Sequence, residues 1–331
     1  MNNRLLKYFI VCIAFILNAS FVFASDSAEE KIDNEKIYFV PVLMYEHAAV
    51  AERKYHAPGA IAVIAKGNRE LPFENDSESF FFGAIYKQYI FSDIEVPNYS
   101  NNYHDIEMMI EKRYGRHYLV ALFESYAQRP IAGGLQSFAT GAGYAYDFIS
   151  RSNFSFIFGF GIGVSDFGID MPNGRPLPVL LIPVTRISGN FSWLKFTFEF
   201  INKPMLNFTI LPKKKVRFTG YFRMDRYNDA EDIIFDCALW YRFFSEKHIF
   251  GDFAGIAVGM KNEGKNFSLP DEDRYYLFRN YSVYGKLDFS FLQLSCGYIF
   301  KASETFEYGN DKTKIDTGKG AWGSVVAAYK F

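Results

Sequence analysis

The sequence predicts an all-β fold, a transmembrane antiparallel up-and-down β-barrel of roughly 10–14 strands. Three observations lead there: strand-period alternation along most of the chain, connections that alternate between long and short, and an amino terminus built for export. The stretch FSWLKFTFEF (191–200) shows the first. From Leu194 on, Leu194, Phe196, Phe198 and Phe200 share one parity, and Lys195, Thr197 and Glu199 share the other. Successive side chains on a strand point to opposite faces, so this ribbon has an aromatic face and a charged face. In a soluble sheet the aromatics would face a core, and in a membrane barrel they would face lipid.

The targeting signal comes first in the chain. MNNRLLK supplies Arg4 and Lys7, YFIVCIAFIL is an unbroken apolar run, and Val22 and Ala24 take the −3 and −1 positions before Ser25. This is the order of a cleaved secretory signal peptide, assigned to residues 1–24. Asn18 and Ser20 make the alternative, an uncleaved anchor helix, a poor span. Cys12 lies inside the apolar run, which argues against a lipoprotein, and no other stretch is apolar enough to span as a helix.

Composition agrees. The chain carries 37 Phe and 23 Tyr against 3 Trp, a bias toward strand-forming aromatics, and its net charge of −1 offers no basic field for nucleic acid. PKKKVRF (212–218) leads directly into an alternating strand and reads as a charged turn. Cys237 and Cys296 sit on the apolar parity of their strands and read as two unpaired thiols, although export permits a disulfide.

Period-two segments are read at about 79–91, 104–112, 116–126, 137–149, 153–164, 179–188, 192–202, 204–211, 214–224, 233–244, 249–260, 281–290, 292–300 and 321–331. In NFSFIFGFGIGV, Phe154, Phe156, Phe158 and Phe160 take one face while Ser155, Gly159, Gly161 and Gly163 take the other. The segments 79–331 are assigned to the barrel, and residues 25–78, with Pro41, Pro58 and Pro72, either add strands or fold inward as a plug. Short links fall at 150–153, 188–190, 211–215, 245–248 and 289–293. Long polar links fall at 165–178, 225–232, 261–280 and 301–320, and the brief NKP at 202–204 is the exception on that side. Such asymmetry matches short periplasmic turns and longer external loops. NFSFI, NFSWL and DFSFL, starting at Asn153, Asn190 and Asp288, all fall on the short-turn side, where Asn or Asp suits a turn and aromatics suit an interface.

The chain ends GSVVAAYKF, with Val325, Ala327, Tyr329 and Phe331 on one face. Together with the signal peptide and the strand and loop pattern, this terminus resembles bacterial outer-membrane β-barrel proteins, whose last strand ends in an aromatic. The resemblance implies outer-membrane lipid and the barrel-assembly machinery, engaged through the carboxyl-terminal strand, as partners. It also implies that the Phe face meets lipid.

No motif carries chemistry or calls for a cofactor or metal. VPVLMYEH (40–47) is similar to the opening strand of polysaccharide deacetylases, but their acidic and paired-histidine motifs do not follow. His47, His56, His104, His117 and His248 lack metal-ligand spacing. GFGIGV (159–164) has the wrong glycine spacing for a dinucleotide loop, and its glycines are read as packing against bulky lumen residues. His104 beside Asp105 lacks a nucleophile, so the chain is not read as an enzyme.

The inward parity nominates Lys195, Glu199, Arg217, Tyr221, Arg223, Asp236, Arg242, Lys286 and Asp288 as lumen-lining. Pairing about the centre of DRYNDAED sets Tyr221 opposite Asp236 and Arg223 one diagonal step away, within reach of an Arg–Asp contact. The functional reading is a small-solute channel or transporter of the outer membrane. A structural or surface-interaction barrel is the alternative, and a secreted soluble β protein is the third. The mature chain is expected to begin at or near Ser25: intact mass of the protein from its native membrane should lack Met1–Ala24, and a retained leader would restore the anchor helix.

Overall fold

The structure, a computed structural model, describes residues 37–50, 53–66, 78–92, 94, 96–131, 134–151, 153–165, 177–201, 203–224, 233–243, 254–270, 274–289, 292–309 and 311–328. Among them sixteen strands form one closed ring. They are β1 (Ile37–Val50), β2 (Lys54–Lys66), β3 (Glu78–Phe91), β4 (Asn102–Tyr114), β5 (His117–Ala127), β6 (Ala139–Arg151), β7 (Phe154–Val164) and β8 (Val179–Asn190). There follow β9 (Leu194–Phe200), β10 (Pro204–Ile210), β11 (Val216–Met224), β12 (Ile233–Arg242), β13 (Gly255–Ser268), β14 (Arg274–Asp288), β15 (Leu292–Tyr308) and β16 (Asp311–Ala328). Each strand pairs antiparallel with its sequence neighbours, and β1 closes the ring against β16. The chain enters β1 and leaves β16 at the same end, called here the terminal end.

Among the described residues each of the fourteen expected segments coincides with a strand, and the ring exceeds the expected 10–14 by two because residues 37–66 supply β1 and β2. Those residues add strands to the wall, so the barrel begins well before residue 79. Pro41 and Pro58 are accommodated within the β1–β2 ladder. A second correction concerns the loops read at 261–280 and 301–320. β13 and β14 run on to Ser268 and from Arg274, and β15 and β16 run on to Tyr308 and from Asp311. Polar and aromatic residues there are ladder residues of two tall hairpins, turned tightly at the second by Gly309 with φ 56°. The links at 166–176, 225–232 and 244–253, His248 included, lie outside the described residues, as do Tyr329 and Phe331.

The faces follow the alternation. Leu181 (65 % exposed), Val258 (61 %) and Phe160 (53 %) stand outward, while Arg186 and Glu199 are about 6 % exposed on the inside. Leu43, Met108, Ile110, Leu119, Leu239, Val283, Tyr298 and Val325 extend the exposed apolar surface around the ring. A belt of that extent far exceeds what a soluble surface tolerates and is the outer wall of a membrane-spanning barrel. Both thiols are free, and Cys296 is exposed on that wall. Of the glycines in GFGIGV, Gly159 and Gly161 meet the backbone of β6 rather than bulky lumen side chains. A Cβ at Gly159 would stand 2.0 Å from the Tyr144 carbonyl oxygen, so β6 and β7 approach closely only because it is absent.

The ring is not round. β5 and β13, eight positions apart in a sixteen-membered ring, pair in parallel through Ala127 and Ser268 at the end away from the termini. Gln128 donates its backbone N–H to the Ser268 carbonyl at 2.9 Å, and the Ser268 hydroxyl reaches the Tyr126 carbonyl at 3.3 Å. The lumen is thereby pinched into two lobes. The lobe within β13–β16 and β1–β5 is filled by an aromatic core including Tyr55, Tyr89, Phe91, Tyr103, Phe267, Tyr276 and Phe278. Tyr103 stacks on Tyr276 at 4.9 Å and on Phe267 at 4.8 Å between ring centroids, joining opposite walls.

Lipid and lumen faces should respond differently to charge. Phe198→Arg places a guanidinium on the lipid face at a cost of about 2–4 kcal/mol at midplane and should reduce folded yield into vesicles. Thr197→Arg faces inward and should be much milder. Equal damage by both, read as heat-modifiable gel migration, would contradict the assigned faces.

Candidate functional site

The second lobe, walled by β5–β13 and open to β14 below the pinch, contains a cavity of about 450 Å³. Short strands form much of its wall: β9 and β10 have seven residues each. Lys195, Thr197 and Glu199 of β9 and Met205, Asn207 and Thr209 of β10 face it. Thr219 and Tyr221 of β11, Asp236 and Trp240 of β12, and Tyr284 and Lys286 of β14 complete the lining, with Arg186 and Ser188 of β8. Hydroxyls, one amide, both signs of charge and an indole therefore converge on one space. Convergent polar groups in a concave space are what fix orientation and specificity in a small-molecule pocket.

Ion pairs span the lumen as chords. Arg186 donates through Nε to Glu199 on neighbouring β9 at 2.7 Å, and through Nη2 to Glu111 on distant β4 at 2.8 Å. Lys265 of β13 pairs with Asp105 at 2.7 Å and lies 3.7 Å from Glu107, both on β4. Lys87 of β3 bridges Glu46 and Glu263 at 3.1 and 3.5 Å. Arg53 holds Glu304 through two N–H groups at 2.7 and 3.0 Å. Buried charges are tolerated because each meets an opposite one. Alternation cannot reveal these partners, because they lie on strands far apart in sequence.

Five of the nine nominated residues line the cavity: Lys195, Glu199, Tyr221, Asp236 and Lys286. The register pairs Tyr221 with Asp236, as the loop-centred reading expects. The Arg223–Asp236 contact is replaced by others. Arg223 lies 3.9 Å from Glu107 across the lumen, and Asp236 accepts a hydrogen bond from the Tyr284 hydroxyl. Arg217 and Arg242 lie on the inner parity of β11 and β12 towards the terminal end. Arg217 stands 5.6 Å from the Trp240 ring centre, and Lys286 is at the same distance. Asp288 accepts from Gln293 at 3.0 Å. Arg186, Asn207 and Trp240 were missed. Each belongs to a strand whose inner parity was legible, so that parity was the signal available for them.

The remaining candidates do not gather into a catalytic group. His104 faces outward with its Nδ1 3.0 Å from the Tyr86 hydroxyl, whereas its sequence neighbour Asp105 faces inward to Lys265. His117 is also on the outer wall, 2.8 Å from the Tyr144 hydroxyl.

No family model and no curated protein matches this chain. Among solved structures, it is similar to OccK8 (OprE) of Pseudomonas aeruginosa, at 8 % identity and a TM-score of 0.31, over 89 % of this chain and 98 % of that one. OccAB3 of Acinetobacter baumannii matches at 8 % identity and a TM-score of 0.33, over 89 % and 99 %. The outer membrane protein OprD of Pseudomonas aeruginosa matches at 10 % identity and 0.24, over 93 % and 97 %. At such scores the likeness adds nothing to the barrel's own pairing and faces.

Arg186 offers a direct test of the chords. Arg186→Met leaves Glu111 and Glu199 facing each other without their shared cation and should destabilise the barrel by about 3–5 kcal/mol. Adding Glu111→Gln and Glu199→Gln should recover much of that loss in urea midpoints. An unchanged midpoint for Arg186→Met alone would show that the chord contributes nothing.

Proposed function

We propose that this chain is an integral protein of the bacterial outer membrane that conducts a small solute along a narrow polar route through the second lobe. The single observation that carries the reading is the polar cavity between the cross-lumen chords and the wall β8–β12, beside a lobe that holds a buried aromatic core. The apolar outer belt supports membrane placement and weighs against the soluble reading. The terminal end is then periplasmic, and the carboxyl-terminal strand is the element offered to the barrel-assembly machinery.

In this reading Lys195, Glu199, Tyr221, Asp236 and Lys286 contact the solute in transit. Arg217, Arg242 and Asp288 set the charge at the periplasmic end, and Arg223 sets it beside the pinch. A route this narrow is selective by contact rather than by size alone, because fixed charges and hydroxyls must replace the water shed by the solute. The surface-interaction reading draws on the tall β13–β16 hairpins, which rise past the β1–β2 turn.

Planar bilayers separate the two readings. The purified barrel should open small discrete conductances. Asn207→Trp, which fills the cavity from β10, should cut conductance at least in half while heat-modifiable migration is kept. Arg223→Glu should shift reversal potential towards cations. A folded wild-type barrel that conducts nothing hands the function to the surface-interaction reading.

A further inference from the structure

The hairpin β1–β2 carries a second polar cluster, on the opposite side of the wall from the lumen. Val50 and Arg53 exchange backbone hydrogen bonds at 2.9 and 3.2 Å, and this fixes the register. His47 is thereby set directly opposite His56. The alternation that buries Glu46 and Ala48 inward turns Tyr45 and His47 outward, and His56 is turned outward by the same rule between buried Tyr55 and Ala57. The two imidazoles stack with centroids 4.6 Å apart and planes at 26°. Their Nδ1 atoms are 3.1 Å apart, and the Tyr45 hydroxyl stands 2.7 Å from the His56 Nδ1.

We propose that His47 and His56, with Tyr45 beside them, form a surface site for a borderline divalent metal ion, Cu²⁺ or Zn²⁺. Two ligand nitrogens 3.1 Å apart subtend about 95–100° at an ion bonded to each at about 2.0–2.1 Å. That angle suits cis positions of a tetragonal site or a compressed tetrahedral one, so chelation needs ring rotation and no strand movement. The backbone is held on both sides, because β1 pairs with β2 and with β16. Imidazole nitrogen with phenol oxygen favours Cu²⁺ and Zn²⁺ over Ca²⁺ and Mg²⁺. Among the described residues no group of three or more His, Cys, Asp or Glu side chains is arranged to hold an ion. The site is therefore a two-histidine chelate with Tyr45 as the third donor, leaving positions open to water or headgroup oxygens. His47 lies three residues from the end of β1. This assignment does not depend on solute conduction.

The test uses tag-free, metal-stripped barrel in detergent, titrated with Cu²⁺ and then Zn²⁺ by calorimetry. One ion per barrel is expected, weakened at least tenfold by His47→Ala and by His56→Ala and unchanged by His104→Ala. Electron paramagnetic resonance of the Cu²⁺ form should show two coupled nitrogens, reduced to one in either variant. In unmutated protein, Cu²⁺ should protect His47 and His56, but not His117, from diethyl pyrocarbonate, so the result survives a variant that fails to fold. The proposal is overturned by absence of stoichiometric binding, by binding indifferent to both substitutions, or by equal protection of all histidines.

Discussion

The junction of β5 with β13 governs the interior. A ring of sixteen strands has a fixed perimeter, and its enclosed area is greatest when the ring is round. Joining two diametrically opposite strands through Ala127 and Ser268 converts that ring into two smaller loops sharing a seam. Each loop has about the girth of an eight- or nine-stranded barrel, the size whose interior side chains just fill. Strand number alone would have indicated a wide aqueous pore, and the pinch narrows it at the end away from the termini.

The two lobes use their interiors differently, and side-chain chemistry explains the difference. In the first, Tyr89, Phe91, Tyr103, Phe267 and Tyr276 interlock edge-to-face and in stacks, each favourable pair contributing about 0.5–1.5 kcal/mol beyond burial. In the second, Lys195, Asn207, Tyr221, Asp236 and Lys286 present groups that water or a polar solute satisfies better than a hydrocarbon does. The chords from Lys265, Lys87 and Arg186 to carboxylates on distant strands hold the walls at the spacing that both arrangements need.

The outer wall has its own chemistry. Tyr86 with His104, Tyr144 with His117, and Tyr45 with the His47–His56 pair each put a hydroxyl against an imidazole on the lipid-facing parity. Residues with an apolar body and a polar tip suit the membrane–water boundary, where one end is dry and the other wet. The same preference that builds an aromatic girdle thus brings two histidines together when the β1–β2 register sets them opposite each other.

Much of the fold was written in local pattern. Alternation in FSWLKFTFEF, in NFSFIFGFGIGV and in 214–224 determined which residues face lipid, because one strand's parity is a property of its own residues. The centre of DRYNDAED determined the Tyr221–Asp236 register, because antiparallel pairing about a loop is symmetric. Residues 37–66 left strands and a plug equally open because their apolar residues do not alternate cleanly, and 261–280 read as a loop because strands that rise beyond the membrane carry charge like loops. Tertiary structure alone decided the pinch, the chords and the His47–His56 contact. Each joins residues on separate strands through ring closure or cross-strand register, and neither leaves a period in the sequence that an alternation pattern can report.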